Sequence, residues 1–410
     1  MPSNSKKHSF STFFTEGHYA TQLEKIDVRK NSKKLTIGIP KETIIEEKRI
    51  SLVPHSVRSI VGYGHQVIIE SGAGEGASYT DDDFRSAGAI ISKDKREVFE
   101  SQLIIKAAPI SSKEADLLHL DQILISPLQL PLMSQEILEK LQKKQVIAIA
   151  TEYIRNEEGG FPILRMMSEM AGRLAIITAS ELLCNSSGGR GVLMGGAPGV
   201  PPAKVVILGA GVAGQSAAKA AISLGASVRI FDNNIDKIAR LQRQLGRNLH
   251  TSSINPEYLA YQLTSADVLI GAVHSKLGRS PVIVTNEMVE KMKPKSVIID
   301  LTIDQGGCIE SSRLTTHQNP TFIYEGVTHY CIPNVASKVA RTASQAMSNI
   351  LVGITLKIGD ETDNMKRLLY NKEGLRRAVY SFKGYTTNSF LAKRFNQKFT
   401  PLDLVLTSEQ

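Results

Sequence analysis

Val205-Val206-Ile207-Leu208-Gly209-Ala210-Gly211-Val212-Ala213-Gly214 decides the reading of this chain. An apolar strand runs straight into G-x-G-x-x-G. Gly209 permits the tight turn, Gly211 lets the backbone approach a pyrophosphate, and Gly214 lets the following helix lie close to the strand. Free N–H groups at the start of that helix then face the phosphates. Ala213–Leu224 reads as the helix and Val228–Phe231 as the next strand, ending at Asp232, 18 positions past Gly214. A carboxylate there accepts hydrogen bonds from ribose hydroxyls and repels a 2′-phosphate, which points to NAD rather than NADP. The bland alternative is a strand–helix turn whose glycines serve packing alone. It leaves both flanking strands and Asp232 unexplained.

Outward from this unit, strand and helix alternate. Leu35–Ile39, Gln66–Glu70, Leu103–Ile105, Ile123–Ser126 and Val146–Ala150 read as strands ahead of it, and Val268–Ala272 and Val297–Leu301 as strands after it. Most are continuously apolar, as parallel strands covered on both faces are. The fold class is α/β, with two doubly wound Rossmann-like domains and a cleft between them. Met167–Leu183 has helical spacing and crosses between the domains, and the long helical run Ala336–Ile358 returns the chain to the first. The expected division is an N-terminal arm at 1–33, a discontinuous substrate domain at 34–162 plus 341–410, and an inserted dinucleotide domain at 163–340.

Composition narrows the function classes. Hydrophobic residues at 42% suffice for two ordinary cores, and 22% charged residues argue against a disordered chain. The net charge of +9 invites a nucleic-acid reading, but the first 34 residues hold seven basic and three acidic side chains and so carry four of the nine. The remainder has no basic stripe interleaved with aromatics, so no nucleic-acid partner is expected. Cys184, Cys308 and Cys331 form neither a metal spacing nor a disulfide framework, so no metal is expected. No apolar run is long enough to span a bilayer and no secretory signal opens the chain, so a soluble, cytoplasmic protein is expected. The arm contains Phe10, Phe13, Phe14, His18 and Tyr19 and reads either as disordered or as a docking segment.

Several blocks carry a family resemblance. Ile37-Gly38-Ile39-Pro40-Lys41-Glu42-Thr43 with Lys48-Arg49-Ile50, Ser71–Ala77, Met167–Arg173, Gly188–Gly196 and Ile303–Cys308 occur in the order found in alanine dehydrogenases and the NAD-binding part of proton-translocating transhydrogenases. The blocks at 188–196 and 303–308 resemble the former more. The resemblance implies an enzyme that oxidises L-alanine with NAD to pyruvate and ammonia, reversibly, as a homohexamer. It implies that Arg49 clamps the substrate carboxylate, for which a planar guanidinium is suited; a surface arginine beside Glu46 and Glu47 is the plainer reading. It implies that Asp304 assists proton transfer in the cleft, against a turn or cap aspartate. Ser168 and Asn334 match positions near the nicotinamide, though either could cap a helix. Lys237 matches a position near the adenosine ribose, or is an exposed helical lysine.

The sequence departs from the pattern at two catalytic positions. Where the resemblance implies a lysine, after Leu103-Ile104-Ile105, the chain reads Lys106-Ala107-Ala108-Pro109 and places Ala108. Where it implies a histidine, Gln129 stands. Ala carries no exchangeable side-chain proton, and Gln is no acid or base near neutral pH. Three explanations compete. Another cation serves the cleft, with Lys106, Arg165 and His274 as candidates, although Arg165 also reads as a helix-surface charge and His274 as a loop histidine. Alternatively the substrate is another small amino or imino acid, or the chain binds NAD without turnover.

Overall fold

The computed structural model describes residues 34–407 apart from 45, 131, 247, 274–278 and 362–363. The arm expected at 1–33 and the candidate His274 lie outside the described residues.

The chain first lays down β1 (Thr36–Ile39), β2 (Gln66–Glu70), β3 (Ile90–Ser92), β4 (Leu103–Ile105), β5 (Ile123–Ser126) and β6 (Ile147–Ala150). It then builds β7 (Lys204–Leu208), β8 (Ser227–Phe231), β9 (His250–Ser252), β10 (Val268–Gly271), β11 (Val297–Asp300), β12 (Thr321–Tyr324) and β13 (Val327–Tyr330), and returns with β14 (Val379–Phe382) and β15 (Tyr385–Thr386). The first sheet runs β15-β14-β6-β5-β4-β1-β2-β3 and the second β12-β13-β11-β10-β7-β8-β9. Pairing is parallel in both interiors, in register from Thr36 opposite Gln66 to Gly271 opposite Asp300. The purely parallel layers expected from the sequence need correction at their edges: β12 pairs antiparallel with β13, and β14 pairs antiparallel with β6 and β15.

Each sheet carries an apolar core on both faces, and this is why the interior strands β5, β6, β10 and β11 are buried along their whole length. Burying each Ile or Leu there contributes about 1.5–3 kcal/mol.

Two long helices set the lobes against each other. The first, Pro162–Leu183, begins with Pro in its first turn, where the missing N–H costs nothing. It crosses the helix Val212–Ser223 at Gly172, where a Cβ would stand 2.2 Å from Ala213 O, so only glycine allows this approach. Ser216 Oγ donates to Glu169 O at 2.6 Å and fixes the crossing. The second, Ala340–Asp360, packs its Ala340, Met347, Leu351 and Ile358 into the core of the first lobe. Its serines receive that lobe's backbone: Ile50 N donates to Ser344 Oγ at 2.9 Å and Val53 N to Ser348 Oγ at 3.0 Å.

Candidate active site

At the carboxyl end of β7, Gly209 has φ +98°, and a Cβ on it would lie 2.4 Å from Ala272 O. A Cβ on Gly214 would lie 1.9 Å from Gly209 O, so helix and turn touch through glycine alone. At Gly211, by contrast, a Cβ would meet nothing within 4 Å. That open space fronts the first turn of Val212–Ser223, whose N-cap Gly211 supplies no side-chain cap. These are the features a dinucleotide pyrophosphate requires, and the residues fit it. Asp232 closes the turn: Oδ2 accepts from Ala210 N and Oδ1 from Asn234 N, both at 2.7 Å. Lys237 Nζ stands 3.9 Å from Asp232 Oδ2, beside the acceptor a ribose would use.

In the first lobe Arg49 is buried, so it is no surface arginine. Its Nε donates to Glu47 Oε1 at 2.8 Å and its Nη2 to Glu47 Oε2 at 2.6 Å. The other nitrogen, Nη1, faces the weak acceptor Met167 Sδ at 3.4 Å. Burial alone would push the guanidinium's pKa down; Glu47 outweighs this and holds it up. Glu47 therefore occupies the Nε/Nη2 edge of the fork, and the N–H groups at the Nη1 end are the ones turned away from it. Asn334 joins this cluster from the second lobe, donating through Nδ2 to Glu47 Oε2 at 2.7 Å. Nearby, Glu46 accepts from His317 N at 2.6 Å and Gln318 N at 2.8 Å, a second tie between the lobes.

Asp304 sits in the loop after β11. The residue is exposed, yet enough protein surrounds its carboxyl to hinder solvation of the charge. The carboxyl rises to about 6: burial raises it, its own and Gln305's N–H groups oppose, and the charge of Asp300 adds to the rise. Asp300 ties that loop shut. Its Oδ1 accepts from Thr302 N at 3.0 Å and Thr302 Oγ1 at 2.7 Å, and its Oδ2 from Cys308 N at 3.0 Å and Ser312 Oγ at 2.8 Å. Gly307, with φ +79°, makes room for this carboxylate.

Models of the Alanine dehydrogenase/PNT family match residues 38–171 with the N-terminal domain and 175–389 with the C-terminal domain. The chain belongs to this family. It is 37% identical to an alanine dehydrogenase of Methanococcus maripaludis, covering 91% of this chain and all of that one. It is 36% identical to that of Bacillus subtilis, over 92% of this chain and 98% of the relative. A solved L-alanine dehydrogenase superposes with TM-score 0.83 at 36% identity, covering 88% of this chain and 99% of that one. A transhydrogenase from Sinorhizobium meliloti shares the fold at TM-score 0.73 and 24% identity.

Within this family the departures at the cleft take physical form. Ala108 is buried, and its N–H points at Glu42 Oε1, 3.3 Å away. Gln129 is exposed and held in the left-handed region at φ +38°. Glu152 holds it there, accepting the N–H groups of Leu128 and Gln129, both at 2.9 Å.

Two candidate cations are corrected. Lys106 is fully buried, with Nζ 2.7 Å from Glu42 Oε2 and 3.0 Å from Glu114 Oε1; its charge is spent inside the first lobe. Arg165 is 71% exposed and pairs along its helix with Glu169, so the helix-surface reading holds. Ser168 is half-buried inside Pro162–Leu183, not at its end, which removes the capping reading.

Sequence reasoning missed Glu47, Asp300 and Glu42. Glu47 carried a signal, since a carboxylate two residues from Arg49 can reach its fork. The strand-end position of Asp300 was also visible.

A cavity of about 140 Å³ opens beside Arg49, lined by Lys41, Glu42, Glu47, Lys48, Gly72 and Glu75 among others. A larger one of about 420 Å³ lies at the opposite, amino end of β7, beside Lys204 and Lys293 and away from the glycine turn. The smaller one is the candidate substrate site because it holds the buried guanidinium. Among the described residues no helix is long and apolar enough to cross a membrane, and no cluster of His, Cys, Asp or Glu could hold a metal.

Proposed function

We propose that this chain is an NAD-dependent amino-acid dehydrogenase that oxidises L-alanine to pyruvate and ammonia, reversibly. The observation that carries the reading is the buried Arg49–Glu47 pair of one lobe, tied by Asn334 to the lobe that bears the dinucleotide turn. Gly209, Gly211, Gly214 and Asp232 would hold NAD, with Lys237 at the ribose and Ser168 and Asn334 toward the nicotinamide. When bound, NAD supplies the hydride acceptor. Arg49 Nη1 holds the substrate carboxylate and so turns the one hydrogen on Cα toward the cofactor. Asp304, ionised above about pH 6, takes up a proton as water adds to the oxidised carbon and ammonia departs. The substrate domain is residues 34–162 with 341–410, and the cofactor domain 163–340. The protein is cytoplasmic and acts as a homo-oligomer, a hexamer by family resemblance.

Asp232→Ser is expected to weaken NADH binding about 10- to 100-fold, the value of hydrogen bonds to a charged group. Fluorescence titration against NADPH should show the preference for NADH narrowing; an unchanged ratio of the two affinities would remove Asp232 from the ribose site.

Ala108 and Gln129 favour a second reading, a dehydrogenase of another small amino or imino acid. A general acid or base contributes ~10²- to 10⁴-fold in rate, so alanine turnover is expected to be slow unless another group compensates. Following NADH absorbance across a panel of amino acids decides between them. Saturable NADH binding with no turnover of any amino acid would overturn both.

A further inference from the structure

The buried Lys106 and the surface Arg165 cannot stand in for the missing ammonium, yet the cavity beside Arg49 holds another cation. We propose that Lys41 is the second cation of the substrate site and shares the substrate carboxylate with Arg49 Nη1. The proposal rests on the dehydrogenase reading above.

The need for it comes from Glu47. Glu47 occupies the Nε/Nη2 edge of Arg49 and neutralises its charge, which leaves the Nη1 end to meet an anionic ligand with little net positive charge of its own. A second donor on the same cavity wall completes the hold. Lys41 lines that wall.

Its backbone is pinned on both sides: Lys41 N donates to Glu70 Oε2 at 2.8 Å, and Lys41 O accepts from Lys95 Nζ at 3.3 Å. Its ammonium, by contrast, is lightly held. The partner is Glu75 at 3.5 Å, and the two side chains are 50% and 72% exposed. An exposed pair of this kind contributes little and exchanges readily for a better anion. The ammonium lies over Gly72, where a Cβ would stand 2.9 Å from Nζ, so glycine clears the place the ammonium occupies. The loop beneath is rigid, because Asp81 accepts from Ser71 Oγ at 2.7 Å and Gly72 N at 2.9 Å. A fixed root, a movable charged tip and a cleared path suit a ligand-gathering lysine. The other carboxylates of the cavity do not compete for it: Glu42 holds Lys106 and two backbone N–H groups, and Glu47 holds Arg49 and Asn334. Lys48 also lines the cavity, and Lys48→Met serves as its comparison.

The test is calorimetric binding of pyruvate to the full chain saturated with NADH, in wild type, Lys41→Met, Lys41→Arg and Lys48→Met. Expected are a 10- to 100-fold weaker pyruvate Kd in Lys41→Met, substantial recovery in Lys41→Arg, and unchanged NADH affinity and Tm in both. Where turnover is measurable, KM for the amino acid should rise more than kcat falls. Wild-type binding with an unaltered Kd in Lys41→Met overturns the role of Lys41 alone. A larger loss in Lys48→Met than in Lys41→Met also overturns it. A wild type that binds NADH but neither pyruvate nor alanine overturns the dehydrogenase reading as well.

Discussion

Asp304→Asn is expected to lower kcat for amino-acid oxidation by ~10²- to 10⁴-fold, the span of a lost general acid or base. Asn keeps the side chain's shape and removes its proton chemistry, and the loop around it is held by Asp300 through four hydrogen bonds that the substitution leaves intact. NADH affinity should therefore stay near that of wild type. The wild-type rate should rise with pH through about 6, where the carboxyl ionises, because the oxidative direction uses the carboxylate. Asn at this position removes that limb. A stability effect of defined sign goes with it. The folded carboxyl titrates at about 6 against an ordinary 3.8, so the folded protein retains a proton that the unfolded chain releases in this window. Stability from this group is present below the ordinary value and is lost as pH rises through about 6. Thermal unfolding of wild type and Asp304→Asn across that range should show a slope in the former that is absent in the latter. Equal kcat in the two proteins, or an acid limb surviving in the variant, would remove Asp304 from the chemistry.

What could be read without coordinates depended on how local each cause is. Gly209 and Gly214 were legible because each answers a constraint on backbone alone, one a positive φ and the other an approach of 1.9 Å that no side chain permits. The interior strands were legible because burial on both faces leaves continuous apolar runs. The edge hairpin Thr321–Tyr330 was not. Its first strand is half-exposed, its second is largely buried yet mixes Thr and His with Val and Tyr, and its turn at Glu325-Gly326 with φ +47° and +73° has no Asn-Gly or Asp-Gly signal. Asp300 and Asp304 stand four residues apart at one strand end, and only Asp304 was singled out, through family resemblance. The structure sets them apart: Asp300 is buried and holds the loop that turns through the positive-φ glycines 306 and 307, whereas Asp304 is exposed. Arg49 was read as a carboxylate clamp, but its occupied edge depends on the direction the Glu47 side chain takes. Composition and spacing do not encode that direction.

Lys106 is the position where sequence reasoning went furthest from the structure, and it carries the other large expectation. Lys106→Met should destabilise the protein by about 3–5 kcal/mol, the cost of leaving buried charges without their partner, and lower Tm by roughly 10 °C. The ammonium is the shared partner of Glu42 and Glu114, both buried. Burial raises the Glu42 carboxyl, with Lys106 pulling against it. Burial also opposes charge on Glu114, but there Lys106 and Ser111 prevail and the carboxyl sits low. Burial pushes the ammonium's pKa down; the two carboxylates outweigh this and hold it above the ordinary 10.5. Its contribution is thus fully present below 10.5 and is lost only at higher pH, as the folded value is passed. In the variant both carboxylates must either stay charged without compensation or take up protons. The loss should accordingly shrink as pH falls toward about 4–5, where protonation becomes cheap, and Lys106→Met with Glu42→Gln should recover part of it at neutral pH. The same variant separates structure from chemistry. If the charge of Lys106 is spent within the lobe, kcat per folded molecule stays well inside the ~10²- to 10⁴-fold loss of a proton-transfer group. A variant that unfolds like wild type but has lost turnover would return Lys106 to the cleft, and with it the view that a shifted lysine replaces the one missing at Ala108.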